Sequence, residues 1–323
     1  MRFDHTKILP ANDEAIARAA ELLRKGSLVA IPTETVYGLG ADATNDKAVA
    51  AIFAAKGRPQ FNPLIVHTPS FEAARNYVDF CDTATNLAKH FWPGALTLVL
   101  PRKENCGLSL LVSAGLETVA VRVPAGSVAR EILTKANVPV AAPSANRSGT
   151  ISPTTAAHVL QSLGDAVDLI VDAGPCDLGL ESTIVGFIKG QPVLLRPGAL
   201  SAEAIEDVIG CALQRHLHAE TVPQSPGQLL SHYAPRAQVR LNVVDVQGHE
   251  ALLGFGPHMP ATSVMSINLS EAGDLNQAAA RLFSALHELD RSGVNVIAVM
   301  PIPHDGLGEA INDRLERAAA PRD

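Results

Sequence analysis

Across roughly its first two hundred residues, short runs of Val, Ile, Leu and Ala alternate with small polar islands, and this alternation limits the possible folds more than any other feature of the chain. The islands read Pro32-Thr33-Glu34-Thr35-Val36-Tyr37-Gly38-Leu39-Gly40, then Lys56-Gly57-Arg58-Pro59 with Asn62-Pro63-Leu64-Ile65-Val66-His67, and then Pro143-Ser144-Ala145-Asn146. Polar groups set at strand ends, with Gly and Pro fixing the backbone around them, are how an α/β scaffold presents a small-molecule site.

The apolar runs order themselves into elements. Residues 12–25 predict a helix, capped by Asn12 or Asp13, striped by Ile16, Ala19, Leu22 and Leu23, and ended by Gly26. Residues 27–32 form a strand feeding the first island, read as a loop; Asp46 then caps a helix through Ala55. Further strands are expected at 64–67, 95–100, 118–123, 138–142, 167–171, 183–187 and 193–195, and helices at 71–78, 83–91, 127–136, 154–163 and 202–209. Several strands follow one another with no room for a crossover helix, so the sheet should be mixed. The pattern fails from 211 to 236, where Thr221-Val222-Pro223-Gln224-Ser225-Pro226-Gly227 reads as linker. Strands at 239–244, 262–267 and 294–300 with helices at 275–289 and 307–319 then predict a small parallel-sheet unit. The division is residues 1–210, a linker over 211–236 and a second domain over 237–323.

Composition excludes several classes. With 33 acidic against 26 basic side chains and a net charge of -7, general nucleic-acid affinity through a basic stripe is disfavoured. No run approaches the roughly 20 apolar residues of a membrane span, and the first residues lack a secretory core, so the expectation is a cytoplasmic protein. Cys81, Cys106, Cys176 and Cys211 lie far apart, which fits reduced thiols rather than a metal site. Neither phosphate-loop, dinucleotide-fingerprint, zinc-protease nor nucleophile-elbow spacing is present.

The islands carry chemistry of another kind. Lys56 and Arg58 place two cations beside one glycine, an arrangement suited to phosphate or, read blandly, to a solvated helix end that complements the dipole. Asn62 is held extended by Pro63, and His67 closes an apolar strand. Ser144 and Asn146 stand just past a strand's carboxyl end, and Ser152 or Thr154 could cap the following helix. Arg122 inside Val119-Ala120-Val121-Arg122-Val123, and Arg196 after Leu195, each need an acidic partner or an anionic ligand to offset desolvation.

As a set these stretches, together with Trp92-Pro93-Gly94, Thr97, Ser182-Thr183-Ile184, Leu195-Arg196-Pro197-Gly198, Ser225-Pro226-Gly227 and His232-Tyr233-Ala234-Pro235, resemble the threonylcarbamoyl-adenylate synthase family over nearly the whole chain. The likeness implies a YrdC-like twisted mixed α/β sheet with a smaller Rossmann-like α/β domain after the linker. It implies an enzyme joining L-threonine, bicarbonate or CO2, and ATP into threonylcarbamoyl-AMP and pyrophosphate, the first step of the N6-threonylcarbamoyl modification of tRNA. Magnesium would ride on the ATP phosphates, with no protein metal ligands, and the product would pass to downstream tRNA threonylcarbamoyl-transferase proteins.

Carried over by position, Thr35, His67, Arg122, Ala142 and Ser182 resemble the threonine site, with Arg122 facing its carboxylate. Arg58, Asn62, Thr118, Ser144, Asn146, Ser152, Arg196 and Tyr233 resemble the ATP site, and Lys56 and Arg58 the catalytic cations near the phosphates. Tyr233, on the linker, implies a lid. An RNA-binding module and a carbamoyl-adenylate enzyme of hydrogenase maturation share this fold and remain the alternatives.

Overall fold

The computed structural model describes residues 7–216, 231–261 and 264–321. Residues 221–227, read as linker, lie outside them. The chain opens with β1 (Ile8–Pro10), α1 (Asp13–Arg24), β2 (Val29–Ile31), β3 (Gly38–Asp42) and α2 (Asp46–Lys56). It continues through β4 (Ile65–His67), the single-turn α3 (Phe71–Ala74), α4 (Asp82–Phe91), β5 (Leu96–Pro101), β6 (Thr118–Arg122), α5 (Ser127–Ala136), β7 (Val140–Ala141) and α6 (Ala156–Leu163). Then come β8 (Leu169–Asp172), β9 (Thr183–Ile188), β10 (Gln191–Arg196), α7 (Ala202–Ile209) and β11 (Gln214–Arg215). These strands form one sheet in the order β1-β8-β2-β3-β7-β4-β6-β5-β9-β10-β11. It is mixed, as the short connections require: β4 runs parallel to β6 and β5 to β9, while β2–β3, β5–β6 and β9–β10 are antiparallel.

Local chemistry sets the element ends. Asn12 caps α1, its Oδ1 accepting from Ala15 N at 2.9 Å. Asn45, rather than Asp46, caps α2 by accepting from the N–H groups of Lys47 and Ala48. That helix stops at Gly57, whose φ of 59° lies in the left-handed region that glycine enters without a Cβ penalty. Its role there is conformational, and ligand approach is not needed to explain it.

Side chains alternate across the sheet with period two. Val66, Leu98, Val121, Ala141 and Val185 point one way and pack with Ile52 and Phe53 of α2 and Leu87 of α4 into the main core. Ile65, Val99, Ala120, Ile184, Val193 and Leu195 point the other way into a smaller patch that includes no helix residue. This second face is where the candidate site lies.

The second sheet is built from β12 (Gln238–Arg240), β13 (Ala251–Gly254), β14 (Ser266–Asn268) and β15 (Val296–Val299), with α8 (Leu275–Arg291) following β14 and α9 (Leu307–Ala319) following β15. Its order is β12-β15-β13-β14 and every pairing is parallel, the arrangement expected of a small Rossmann-like unit. Its core does not stop at its own boundary. Val36, Ile151, Leu180 and Tyr233 are buried in the same cluster as Phe283, Leu286, Ile311 and Leu315. Each such apolar side chain contributes about 1.5–3 kcal/mol by leaving water, so the two sheets are joined by a shared core.

Some sequence expectations need correction. The helix predicted over 71–78 ends at Ala74, because Val78 leaves it to bridge Arg102. Helix α6 begins at Ala156 with Thr155 as its cap, so neither Ser152 nor Thr154 has that role. Gly38-Leu39-Gly40 is strand β3 rather than loop, and β13 had no counterpart in the sequence reading.

Candidate active site

The first island folds upon itself before it reaches the sheet. Thr33 Oγ1 donates to Val36 O at 2.6 Å and accepts from the N–H groups of Thr35 and Val36, locking the turn that carries Glu34 and Thr35. Arg122, the last residue of β6 and in register with His67 at the end of β4, reaches across to this turn. Its Nη2 donates to Glu34 Oε1 at 2.6 Å, its Nη1 to Thr35 Oγ1 at 2.9 Å and its Nε to Gly94 O at 3.1 Å. The acidic partner that a guanidinium inside an apolar strand demands is therefore Glu34, a residue present in the island but not singled out from sequence. Burial pushes the Glu34 carboxyl up, but the Arg122 charge together with hydrogen bonds from the backbone and from Arg122 outweighs it and holds the group below its ordinary value.

A second group of cations lies nearby. Lys56 and Arg58 are not a solvated helix end; they are 3% and 7% exposed. Lys56 Nζ donates to Ser144 O and Asn146 O at 2.5 Å each, pinning the 144–146 loop from behind. Burial, and then the charge of Arg58, depress the Lys56 ammonium well below its ordinary value. Arg58 Nη2 donates to Asn62 Oδ1 at 2.7 Å and Pro63 O at 2.9 Å, and among the described residues it has no carboxylate partner. Burial lowers its guanidinium to about 10, so it stays charged at neutral pH. Arg196, ending β10, donates through Nη2 to Ser182 O at 2.7 Å.

These groups surround one cavity enclosing about 560 Å³ of space between atoms, its open mouth included. Its walls include Thr35, Arg58, His67, Arg122, Ala142, Ser144, Ser182, Arg196 and Tyr233 from the sequence-predicted set, with Thr33, Glu181 and His232 added by the structure. Ile65 and His67, two apart on β4, both line it, which places the cavity over the face of the sheet as well as at strand ends. Burial, and next the neighbouring Arg122 charge, lower the His67 imidazole to about 3, so it is neutral at physiological pH. Tyr233 closes one wall from the segment after the undescribed stretch, where Ala234 N donates to Gly149 O at 2.8 Å.

The remaining predicted residues are placed differently. Lys56, Asn62, Asn146 and Ser152 are not among the lining residues; the first three stand directly behind it through their bonds to Arg58, Ser144 and one another's loops. Ser152 is buried, and its Oγ donates to Glu181 Oε1 at 2.5 Å. Thr118 begins β6 opposite Pro101, four residues and so about 13 Å along the strand from Arg122, and the structure does not bring it to the cavity.

Three buried polar atoms at this place have no hydrogen-bond partner among the described residues: Asn62 Nδ2, Asn146 Oδ1 and His232 Nδ1. Each such orphan costs about 1–3 kcal/mol in the folded protein; of the three residues only His232 lines the cavity, where a polar ligand could relieve that cost. With Glu34 and Glu181 both held by arginines, the cavity wall offers guanidinium, hydroxyl and imidazole groups. This is a surface for small anions.

Fold and cavity thus define a YrdC-like α/β protein whose sheet face carries an arginine-rich cavity, walled on one side by Tyr233, which packs into the core of a second α/β unit. Residues 21–198 match the family described as Telomere recombination, and residues 200–320 match the threonylcarbamoyl-AMP synthase C-terminal domain. The threonylcarbamoyl-AMP synthase of Pyrococcus abyssi is 41% identical over 324 residues, covering 94% of each chain. That of Bacillus subtilis is 41% identical over 336 residues, covering 99% of this chain and 97% of its own. The crystal structure of P. abyssi Sua5 complexed with L-threonine superposes with a TM-score of 0.89 at 38% identity, covering 97% of each chain. The chain belongs to the threonylcarbamoyl-AMP synthase family, in the branch that carries the C-terminal domain.

Proposed function

We propose that the chain makes threonylcarbamoyl-AMP from L-threonine, bicarbonate or CO2, and ATP, releasing pyrophosphate. The observation that carries this reading is that one cavity is lined both by Thr35, His67, Arg122, Ala142 and Ser182 and by Arg58, Ser144, Arg196 and Tyr233, so an amino acid and a nucleotide can meet there. The amine of threonine bonds to the carbon of CO2 and loses a proton; a carbamate oxygen then attacks the α-phosphorus as the bond to pyrophosphate breaks. Both reagents are anions, so the protein's work is to position them and to neutralise charge.

Arg122 has five N–H groups and spends three on Gly94, Thr35 and Glu34, leaving two to carry the threonine carboxylate. His67 stays neutral and adds hydrogen bonding without a further charge. Arg58 and Arg196 take the phosphate side. Lys56 acts on the reaction from behind, by holding the loop that presents Ser144.

The donor set suits a triphosphate that brings its own magnesium, since the two nearest carboxylates already serve arginines. Bound there, the ion supplies charge neutralisation on the phosphates. The product is a mixed anhydride that water destroys, and Tyr233 with its flanking segment is the natural cover over it. We place the enzyme in the cytoplasm, passing this product to the transferase proteins that modify tRNA; among the described residues no helix is long and apolar enough to cross a membrane.

The test is incubation with ATP and [14C]bicarbonate, with and without threonine. Labelled adenylate and pyrophosphate should form in equal amounts, and only when threonine is present. Labelled adenylate formed from [14C]carbamoyl phosphate in place of bicarbonate, without threonine, would favour the carbamoyl-adenylate reading, and no product together with salt-sensitive RNA binding would favour the RNA module.

A further inference from the structure

We propose that Arg314, on α9 of the C-terminal unit, is a positioning residue for the nucleotide half of this cavity. The inference rests on the function proposed above and extends it to a residue more than a hundred positions beyond the last strand of the first sheet's motif set. Arg314 is 0% exposed. Its Nε donates to Glu181 Oε2 at 2.8 Å and its Nη2 to Pro197 O at 2.9 Å, and its guanidinium lies 4.9 Å over the centre of the Tyr233 ring. Glu181 lines the cavity and, through its other oxygen, holds the hydroxyl of Ser152. Pro197 follows Arg196. One side chain from the second unit thus fixes Glu181, the backbone beside Arg196 and the face of Tyr233 together.

The grip is reinforced from α8, where His287 Nε2 donates to Ser152 O at 3.1 Å and Phe283 stacks on Tyr233 with centroids 5.6 Å apart. Asp313 shares the guanidinium of Arg314 and also accepts from Arg317, so the charge is oriented from both sides. None of the contacts of Arg314 reaches Thr35, His67, Arg122, Ala142 or Ser182, the groups assigned to threonine, although Ser182 follows Glu181 in the chain. Its effect should therefore fall on one substrate. A carboxylate in that wall left without its cation would repel the phosphates and release Ser152 and Tyr233 from position.

The experiment compares Arg314→Met and Arg314→Lys with the full-length wild type, measuring kcat/KM for ATP, the Kd for threonine by calorimetry without ATP, and Tm. Arg314→Met should lower kcat/KM for ATP by about 100-fold, the scale of a misplacement near 1 Å, while the threonine Kd stays within about twofold. Arg314→Lys, which keeps the charge but not the forked geometry, should recover part of the loss. Should Arg314→Met fail to fold, Glu181→Gln/Arg314→Met removes both buried charges at once, and the same split between substrates is expected. Equal losses for both substrates, or an unchanged ATP parameter in a folded variant, would overturn the assignment of Arg314. A wild-type enzyme that forms no threonine-dependent adenylate would instead sink the proposed function itself.

Discussion

Arg122 answers two demands at one place. A guanidinium 3% exposed needs a counter-charge merely to exist in a strand interior, and Glu34 supplies it at 2.6 Å; the same guanidinium keeps donors for a ligand. Replacing it by Met should therefore weaken threonine binding by about 30-fold or more, the worth of a desolvated charge pair, with ATP binding changed far less. Stability should fall by about 3–5 kcal/mol, because Glu34 is left buried and unpaired. The pH dependence separates this from a simple packing loss. In the wild type the Glu34 carboxyl sits below its unfolded value, so its contribution is present at neutral pH and is lost only as pH falls through the folded value. In Arg122→Met burial, the largest influence on the carboxyl, is opposed only by backbone hydrogen bonds and raises that value, so the contribution is present at low pH and is lost as pH rises through it. The Tm deficit of the variant against wild type should be larger at pH 8 than at pH 5, and an equal deficit at both would refute the pairing argument.

Where α6 and α8 meet, the rings of His158 and His287 stack with centroids 3.9 Å apart. Thr154 N donates to His158 Nδ1, and His287 reaches Ser152 O, so the contact touches the segment behind the cavity. Burial lowers His158 to about 3, helped by His287 and Arg291, and lowers His287 to about 4, with Arg291 adding to the shift and Asp290 opposing it. Both are therefore neutral when folded, whereas the unfolded chain protonates them near pH 6.5. Stability should fall as the pH drops from about 6.5 towards 4, by about 1.4 kcal/mol per pH unit for each histidine. His158→Asn should flatten the slope of unfolding free energy against pH by that amount in urea titrations between pH 6.5 and 4.5; an unchanged slope would mean that the ring already protonates in the folded state. Neither this contact nor the strand β13 was legible in the sequence. Ala251-Leu252-Leu253-Gly254 is a strand of four residues ending in glycine, too short to show a period, and Gly38-Leu39-Gly40 reads as loop because its strand is held by pairing with β2 rather than by propensity. By contrast α1, α5 and α9 were plain, since caps or apolar stripes over ten or more residues are local signals.

At the scale of the whole molecule, most of the cavity's lining was readable and the carboxylates that hold the buried arginines were not. Thr35, His67, Arg122 and Ser182 belong to short motifs, but the partners of the buried arginines lie 88 positions away for Glu34–Arg122 and 133 for Glu181–Arg314, and no spacing rule reaches so far. Thr118 shows the opposite failure: a motif position that the sheet carries to the far end of β6. The contact that makes the two units one site is a backbone approach. Gly179, at φ 68°, lies so near α8 that a Cβ there would stand 2.4 Å from Ala280 O and 2.6 Å from Ala280 Cα. Backbone atoms cannot yield as a flexible side chain does, so Gly179→Val should wedge α8 outward and carry the Phe283 and His287 contacts with it. The sheets have separate hydrogen-bond ladders and should persist, with an unchanged far-ultraviolet spectrum. Tyr233 and Ser152 lose their support, however, so kcat/KM for ATP should fall by about tenfold or more, while threonine, which the proposed function assigns chiefly to β4, β6 and the first island, should keep its affinity. If the valine variant retains full ATP kinetics, docking of the second unit does not set the nucleotide half of the cavity, and its arginine and aromatic contacts serve stability alone.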